Sequence, residues 1–233
     1  MENSKRFLNA YTKIEMTLCE MLQVKHMSFT QLLTKAARVN ATVNHYQYDL
    51  IEFAQLRNAI THNRVGSQDD VIAEPHTSVV EAIEKIERAL NEPKKVVDVF
   101  AHYVYKAQID DSLPSVMAIK KSKGYSVIPI YDNNVYVGAL YDRLFANFFE
   151  NYTSEKDLVP DIRTLLNYKD KKERVVFMGL DASLYDVLSA FSSAHQKGNT
   201  LTAVLISEKG LLNNPPQAII TVADLPHILH ELA

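Results

Sequence analysis

Arg57, Asn58 and His62 have the types and spacing to do chemistry, within the stretch Arg57-Asn58-Ala59-Ile60-Thr61-His62. Asn58 and His62 are four residues apart, so on a helix one stands a turn above the other. Arginine neutralises phosphoryl charge in a planar fork. Imidazole moves a proton near neutral pH. The amide orients either partner or binds a hydroxyl. Together the three suit an RNA phosphodiester.

A helical pattern from about Val43 to Asn63 positions them. Tyr46, Leu50, Phe53 and Ile60 recur along it at three- and four-residue steps. Arg57 falls on the same apolar stripe. A guanidinium there needs a partner, because an unpaired buried charge is costly. Glu52 or Glu15 would serve, and Arg57 would then simply tie helices together. His62 equally suits a helix C-terminus, where a cation is favoured. Both readings stand at this point.

The chain has 233 residues, room for one large or two small domains. Its hydrophobic content of 47% and charged content of 23% are those of an ordinary globular protein. A net charge of −3 gives no global pull toward nucleic acid, so any RNA contact must be local. The one cysteine, Cys19, lies in an apolar helical pattern. It reads as a core thiol, which excludes a disulfide framework and fits a reducing, cytoplasmic compartment. The N-terminus lacks a signal-peptide core, and no apolar run approaches a membrane span.

Residues 1–92 read as all helix. Phe7, Tyr11, Ile14, Leu18 and Met21 form a first stripe, with Asn3 or Ser4 as N-cap. Ser28 caps a second helix through Leu32, Leu33 and Ala36. The Val43–Asn63 pattern is the third, stopped near Gly66. Pro75 opens a fourth, with the stripe Val79, Ile83, Ile86 and Leu90 and the surface pairs Glu81–Lys85 and Glu84–Arg88. Four such stripes bury one another in a four-helix bundle.

After Pro93 the texture changes to short β-branched runs alternating with helices. Tyr125–Ile130 and Val135–Leu140, joined by Asp132-Asn133-Asn134, make a hairpin followed by a helix through Leu144, Phe145 and Phe148. The pattern returns in strand 174–178, a helix capped by Ser183, strands 201–206 and 218–221, and a last helix carrying Leu225, Ile228, Leu229 and Leu232. Two copies of one β-α-β-β-α unit argue for a tandem repeat. The whole is an α+β multidomain chain. The run Lys169-Asp-Lys-Lys-Glu-Arg174 reads as a surface loop of mixed sign, and His26, His45 and His76 as surface or cap residues rather than metal ligands.

The repeat, over residues 93–233, resembles a pair of CBS (cystathionine beta-synthase) domains, with copies at 93–155 and 156–233. The resemblance is carried by Ser126-Val-Ile-Pro-Ile-Tyr-Asp132 with Val137-Gly-Ala-Leu-Tyr141, and by Thr202-Ala-Val-Leu-Ile206 with Ile219-Ile-Thr-Val-Ala-Asp-Leu225. That family's hallmark is Gly, two apolar residues, Ser or Thr, two spacers and Asp. The second copy keeps Thr221 and Asp224, with Ala218 for Gly; the first keeps Gly138 but has Tyr141 and Leu144. The resemblance therefore implies one adenosyl-ligand site rather than two. Asp224 would accept from the ribose diol, and the amides of Val222 and Ala223 would take phosphate. Ser126 and the backbone around Lys106 would form the adenine side. AMP, ADP, ATP and S-adenosylmethionine all present the required groups. Thr-x-x-Asp at a helix start is also a variant capping box that needs no ligand.

Residues 1–92 resemble a HEPN (higher eukaryotes and prokaryotes nucleotide-binding) domain through Arg57-Asn58-x-x-x-His62. The resemblance implies metal-independent RNA cleavage, with no cofactor, across a homodimer interface. His62 would act as general base or acid, Arg57 would stabilise phosphoryl charge, and Asn58 would orient either. The combined expectation is a cytoplasmic ribonuclease regulated by an adenine nucleotide. The alternative is a non-enzymatic adenosyl-ligand sensor or scaffold whose helical domain mediates dimerisation or partner binding.

Overall fold

The computed structural model describes residues 2–61, 73–151 and 160–233. The chain divides into two compact units, Met1–Lys94 and Lys95–Ala233.

Among the described residues the first unit is all helix: α1 (Glu2–Leu22), α2 (Phe29–Ala36), α3 (Ala41–His45), α4 (Gln47–Thr61) and α5 (Thr77–Asn91). The first stripe behaves as its spacing requires. Phe7, Tyr11, Ile14 and Leu18 are buried, against Leu32, Leu33 and Ala36 of α2 and Val80, Ile83, Ile86 and Leu90 of α5. Asn3 and Ser4 do not cap α1. They lie inside its first turn, where the Ser4 hydroxyl donates to the Ala73 carbonyl and the Asn3 amide to the Pro75 carbonyl. His76, not Pro75, stands at the start of α5, and its Nδ1 accepts from Ser78 N at 3.4 Å. Glu84 meets the Arg6 guanidinium of α1 at 2.9 and 2.7 Å.

The expected single helix from Val43 is two. Asn40 starts α3, its side chain accepting from Val43 N at 2.9 Å. Tyr46 then leaves the helical region at φ −95 and ψ 14, and its carbonyl accepts from Leu50 N to launch α4. Thr42, Val43, Asn44 and His45 are weak helix formers, so the break costs little. On α4, Leu50 and Ile60 are fully buried while Phe53 is half-buried, edge-on to Phe7.

The second unit builds one pattern twice. Its elements are α6 (Val96–Phe100), β1 (Ala107–Gln108), α7 (Leu113–Lys123), β2 (Ile128–Asp132), β3 (Val135–Leu140), α8 (Asp142–Glu150) and α9 (Ile162–Leu166). Then come β4 (Glu173–Met178), α10 (Leu184–Gln196), β5 (Thr200–Ser207), β6 (Pro216–Ile220), a 3-10 turn at Val222–Asp224 and α11 (Leu225–Leu232). In each sheet a helical crossover makes the first two strands parallel, and a hairpin makes the last two antiparallel. The first hairpin turns on Asn133 and Asn134, both with positive φ, the conformation a tight two-residue turn demands.

The helices that enter the two repeats are exchanged. α6 precedes β1, yet Val96 and Phe100 are buried in the second repeat's core with Val204, Ile220 and Ile228. Val96 N donates to the Ala182 carbonyl at 2.9 Å. α9 precedes β4, yet Ile162 and Leu165 pack in the first repeat's core with Ile130 and Leu144. The segment after each entering helix must therefore pass from one repeat to the other, and it edges the two places where a ligand site is considered below.

Candidate functional site

β6 ends at Ile220 because the chain turns at Thr221 into a helix. Thr221 is extended at φ −121 and ψ 175, and the 3-10 turn follows at once. The Asp224 carboxylate folds back on the strand end. Its Oδ2 accepts from Thr221 N at 2.7 Å and from the Thr221 hydroxyl at 3.0 Å. The same arrangement recurs at α10, where Asp186 Oδ2 accepts from Ser183 N at 2.8 Å and from its hydroxyl at 2.7 Å. Both are capping boxes. Val222 and Ala223 are exposed, so their side chains leave the turn open to solvent.

The segment leading into β1 runs beside this edge, with His102 N donating to the Gln217 carbonyl at 3.3 Å. Lys106 follows it, half-buried, with its ammonium 5.1 Å from the centre of the Tyr131 ring. Ser126 is exposed at the bend before β2. Lys106 and Ser126 flank Tyr105 and Tyr125, whose rings stack at 6.2 Å with 12° between their planes. The structure thus joins Thr221 to Asp224 and sets the segments of Lys106 and Ser126 side by side. Among the described residues no hydrogen bond or ion pair links the two sets.

A cavity of about 320 Å³ opens between β3 and the segment entering β4. None of Thr221, Asp224, Ser126 and Lys106 lines it. Its wall includes Gly138, Tyr141 and Leu166, and its rim Lys169, Lys171 and Glu173. The charged run read as a surface loop therefore borders a concave site. Its sequence signal was the density of cations within six residues, hidden by the alternating sign. A Cβ at Gly138 would meet Leu166 Cδ2 at 2.7 Å and push that side chain aside. Tyr141 donates its hydroxyl to Glu173 Oε2. Burial, then the Glu173 carboxylate, pushes the phenol up, so it keeps its proton and remains a donor. Leu144 is fully buried in the first repeat's core, so no carboxylate faces a ribose from that position.

In the first unit, Arg57 and Asn58 lie on the last turns of α4, and His62 lies outside the described residues. Arg57 is half-buried. Its guanidinium carbon stands 6.0 Å from the centre of the Tyr11 ring, and its Nη1 meets Asn58 Oδ1 at 3.4 Å. Among the described residues it joins no ion pair, so neither Glu52 nor Glu15 takes it up as a salt-bridge partner. The electron-rich face of Tyr11 offers partial compensation instead. Tyr11 itself packs against Phe29, ring centres 4.6 Å apart and planes tilted by 31°. Asn58 is exposed.

Among the described residues no group of three or more His, Cys, Asp or Glu is arranged to hold a metal ion, and no helix is long and apolar enough to cross a membrane.

No family model matches the chain, and no curated protein matches it. Similar solved structures include the CBS domain pair of protein MJ0100, in complex with 5′-methylthioadenosine and S-adenosylmethionine. It is 14% identical, with a TM-score of 0.46, over 60% of this chain and 99% of that one. A CBS domain of a bacterial CNNM/CorC family Mg²⁺ transporter, in complex with ATP, is 17% identical with a TM-score of 0.44, over 64% and 95%. A hemolysin-like CBS-containing protein of Oenococcus oeni PSU is 18% identical with a TM-score of 0.42, over 62% and 96%. Similarities of this degree transfer no residue's role to the present chain.

Proposed function

We propose that the protein is an adenosyl-ligand-responsive regulator: residues 95–233 act as a CBS-type sensing pair, and the helical unit is its effector. The observation that carries this reading is the end of β6, where a Thr-x-x-Asp turn exposes the helix-start residues Val222 and Ala223 beside the segment entering β1. Asp224 binds the ribose diol there, the amides of Val222 and Ala223 face phosphate, and Ser126 and the backbone at Lys106 approach the adenine. Regulation follows if the ligand binds one arrangement of the pair better than another.

For the effector we propose metal-independent RNA cleavage by Arg57, Asn58 and His62 in a homodimer. The attacking 2′-oxygen gives its proton to a base as it bonds to phosphorus, and the departing 5′-oxygen takes a proton from an acid, leaving a 2′,3′-cyclic phosphate and a 5′-hydroxyl. Support comes from Arg57, which lies over Tyr11 with its charge unspent on any described carboxylate. The test is RNA cleavage by the full chain in EDTA, with Arg57→Ala and His62→Ala, and with AMP or ATP added or omitted. Cyclic-phosphate ends that vanish in both variants are expected. If no RNA is cut in any condition while AMP still binds, the sensor or scaffold alternative replaces the ribonuclease. If cleavage occurs but is indifferent to nucleotide, the regulatory coupling falls.

A further inference from the structure

The cavity beside β3 has ligand-site chemistry of a different kind from the Thr221–Asp224 edge. We propose that it binds a small phosphomonoester with an apolar or aromatic body and no ribose.

Its volume of about 320 Å³ suits a compact small molecule. The wall is apolar, from Val137, Ala139, Leu166 and Val175, and the bare backbone of Gly138 leaves Leu166 in place as part of it. Cations edge the mouth. Asp170 Oδ1 accepts from Lys172 N at 2.8 Å and its carbonyl accepts from Glu173 N at 3.2 Å, a tight turn that ties this carboxylate to the backbone. Lys169 and Lys171 flank that turn, exposed, and join no ion pair among the described residues. Arg174 is tied to the carbonyls of Lys171 and Glu173, neutral acceptors that hold it at the rim and leave its charge available. Two lysines and an arginine against one aspartate and one glutamate leave the mouth with a positive excess, which favours an anionic group there. The Tyr141–Glu173 pair offers either a hydroxyl donor or, once parted, a carboxylate acceptor to the ligand body. Ribose is disfavoured because Leu144, buried in the core, stands where a diol-binding carboxylate would be needed.

The test is calorimetric titration of the full chain with phenyl phosphate at low salt, with AMP as a separate titrant. Wild-type protein should bind phenyl phosphate saturably and more weakly as salt rises. Lys169→Ala combined with Lys171→Ala should weaken it about tenfold or more, since each ammonium makes a charge-assisted contact. Asp224→Ala should leave phenyl phosphate binding unchanged whether or not it abolishes AMP binding, which separates this site from the adenosyl reading. Absence of saturable phenyl phosphate binding to wild-type protein would overturn the proposal. So would indifference to the double lysine variant, or loss of phenyl phosphate binding in Asp224→Ala.

Discussion

Asp224→Ala separates a cap from a ligand site, because the chain carries its own control. Asp224 and Asp186 each take two hydrogen bonds on Oδ2 from the residue three positions earlier, at 2.7 and 3.0 Å for Asp224 and 2.8 and 2.7 Å for Asp186. Truncating either should cost about 1 kcal/mol of stability, the usual worth of a helix cap. For a unit of this size that lowers the melting midpoint by roughly 3 °C. The AMP affinities should then diverge. Removing Asp224 also removes two charge-assisted bonds to the ribose diol, at least about 1.5 kcal/mol each, or roughly 150-fold in Kd. Asp186→Ala should leave Kd unchanged. Thermal melts and calorimetric AMP titrations of wild-type and both variants read the two quantities independently. Equal losses of midpoint with an unaltered AMP affinity in Asp224→Ala would refute the reasoning, and the Thr221–Asp224 pair would be a cap like its counterpart at α10.

Three further outcomes follow from the packing and the electrostatics. Phe100→Ala removes a buried ring from the second repeat's core, where it meets His227 at 5.1 Å; denaturant unfolding should show a loss of about 3–5 kcal/mol. Gly210→Ala puts a Cβ 3.0 Å from the backbone of Met178 and Gly179 at a residue with φ +65, so space and backbone both oppose it. A fall of at least about 1 kcal/mol by the same measurement is expected. Alkaline titration probes the tyrosines. Burial pushes the Tyr131 phenol from 10.0 up to about 12, so its folded pKa exceeds its unfolded one. The stability it contributes is fully present below about pH 10 and is lost as pH rises from there to about 12, because the unfolded phenol ionises first. Chemical denaturation across that window should show falling stability, with part of the phenolate absorbance appearing late.

Periodicity made much of the fold legible. The stripe Phe7, Tyr11, Ile14 and Leu18 is buried as its spacing required, and Ser183 caps α10 through its side chain as its type suggested. The hairpin at Asn133 and Asn134 follows from residues that tolerate positive φ. Elements too short to show a period stayed hidden. β1 has two residues and α6 and α9 five each, lengths at which alternation and helical spacing cannot be told apart. The end of α3 at Tyr46 was missed because an apolar stripe continues across a one-residue break.

The chain's order of residues determined by itself where the longer helices and strands form, that a β-α-β-β-α unit occurs twice, and that Thr221 and Asp224 meet at a helix start. Those features depend on neighbours a few positions apart, and local spacing encodes them. Tertiary structure alone decided that α6 and α9 exchange repeats, that Arg57 lies over Tyr11 rather than against Glu52 or Glu15, and that a charged run beside β4 borders a cavity with Gly138 and Tyr141. Each of these joins residues distant in sequence. Such a contact is fixed by how buried surfaces fit together, and no local pattern of residue types records which surfaces will meet.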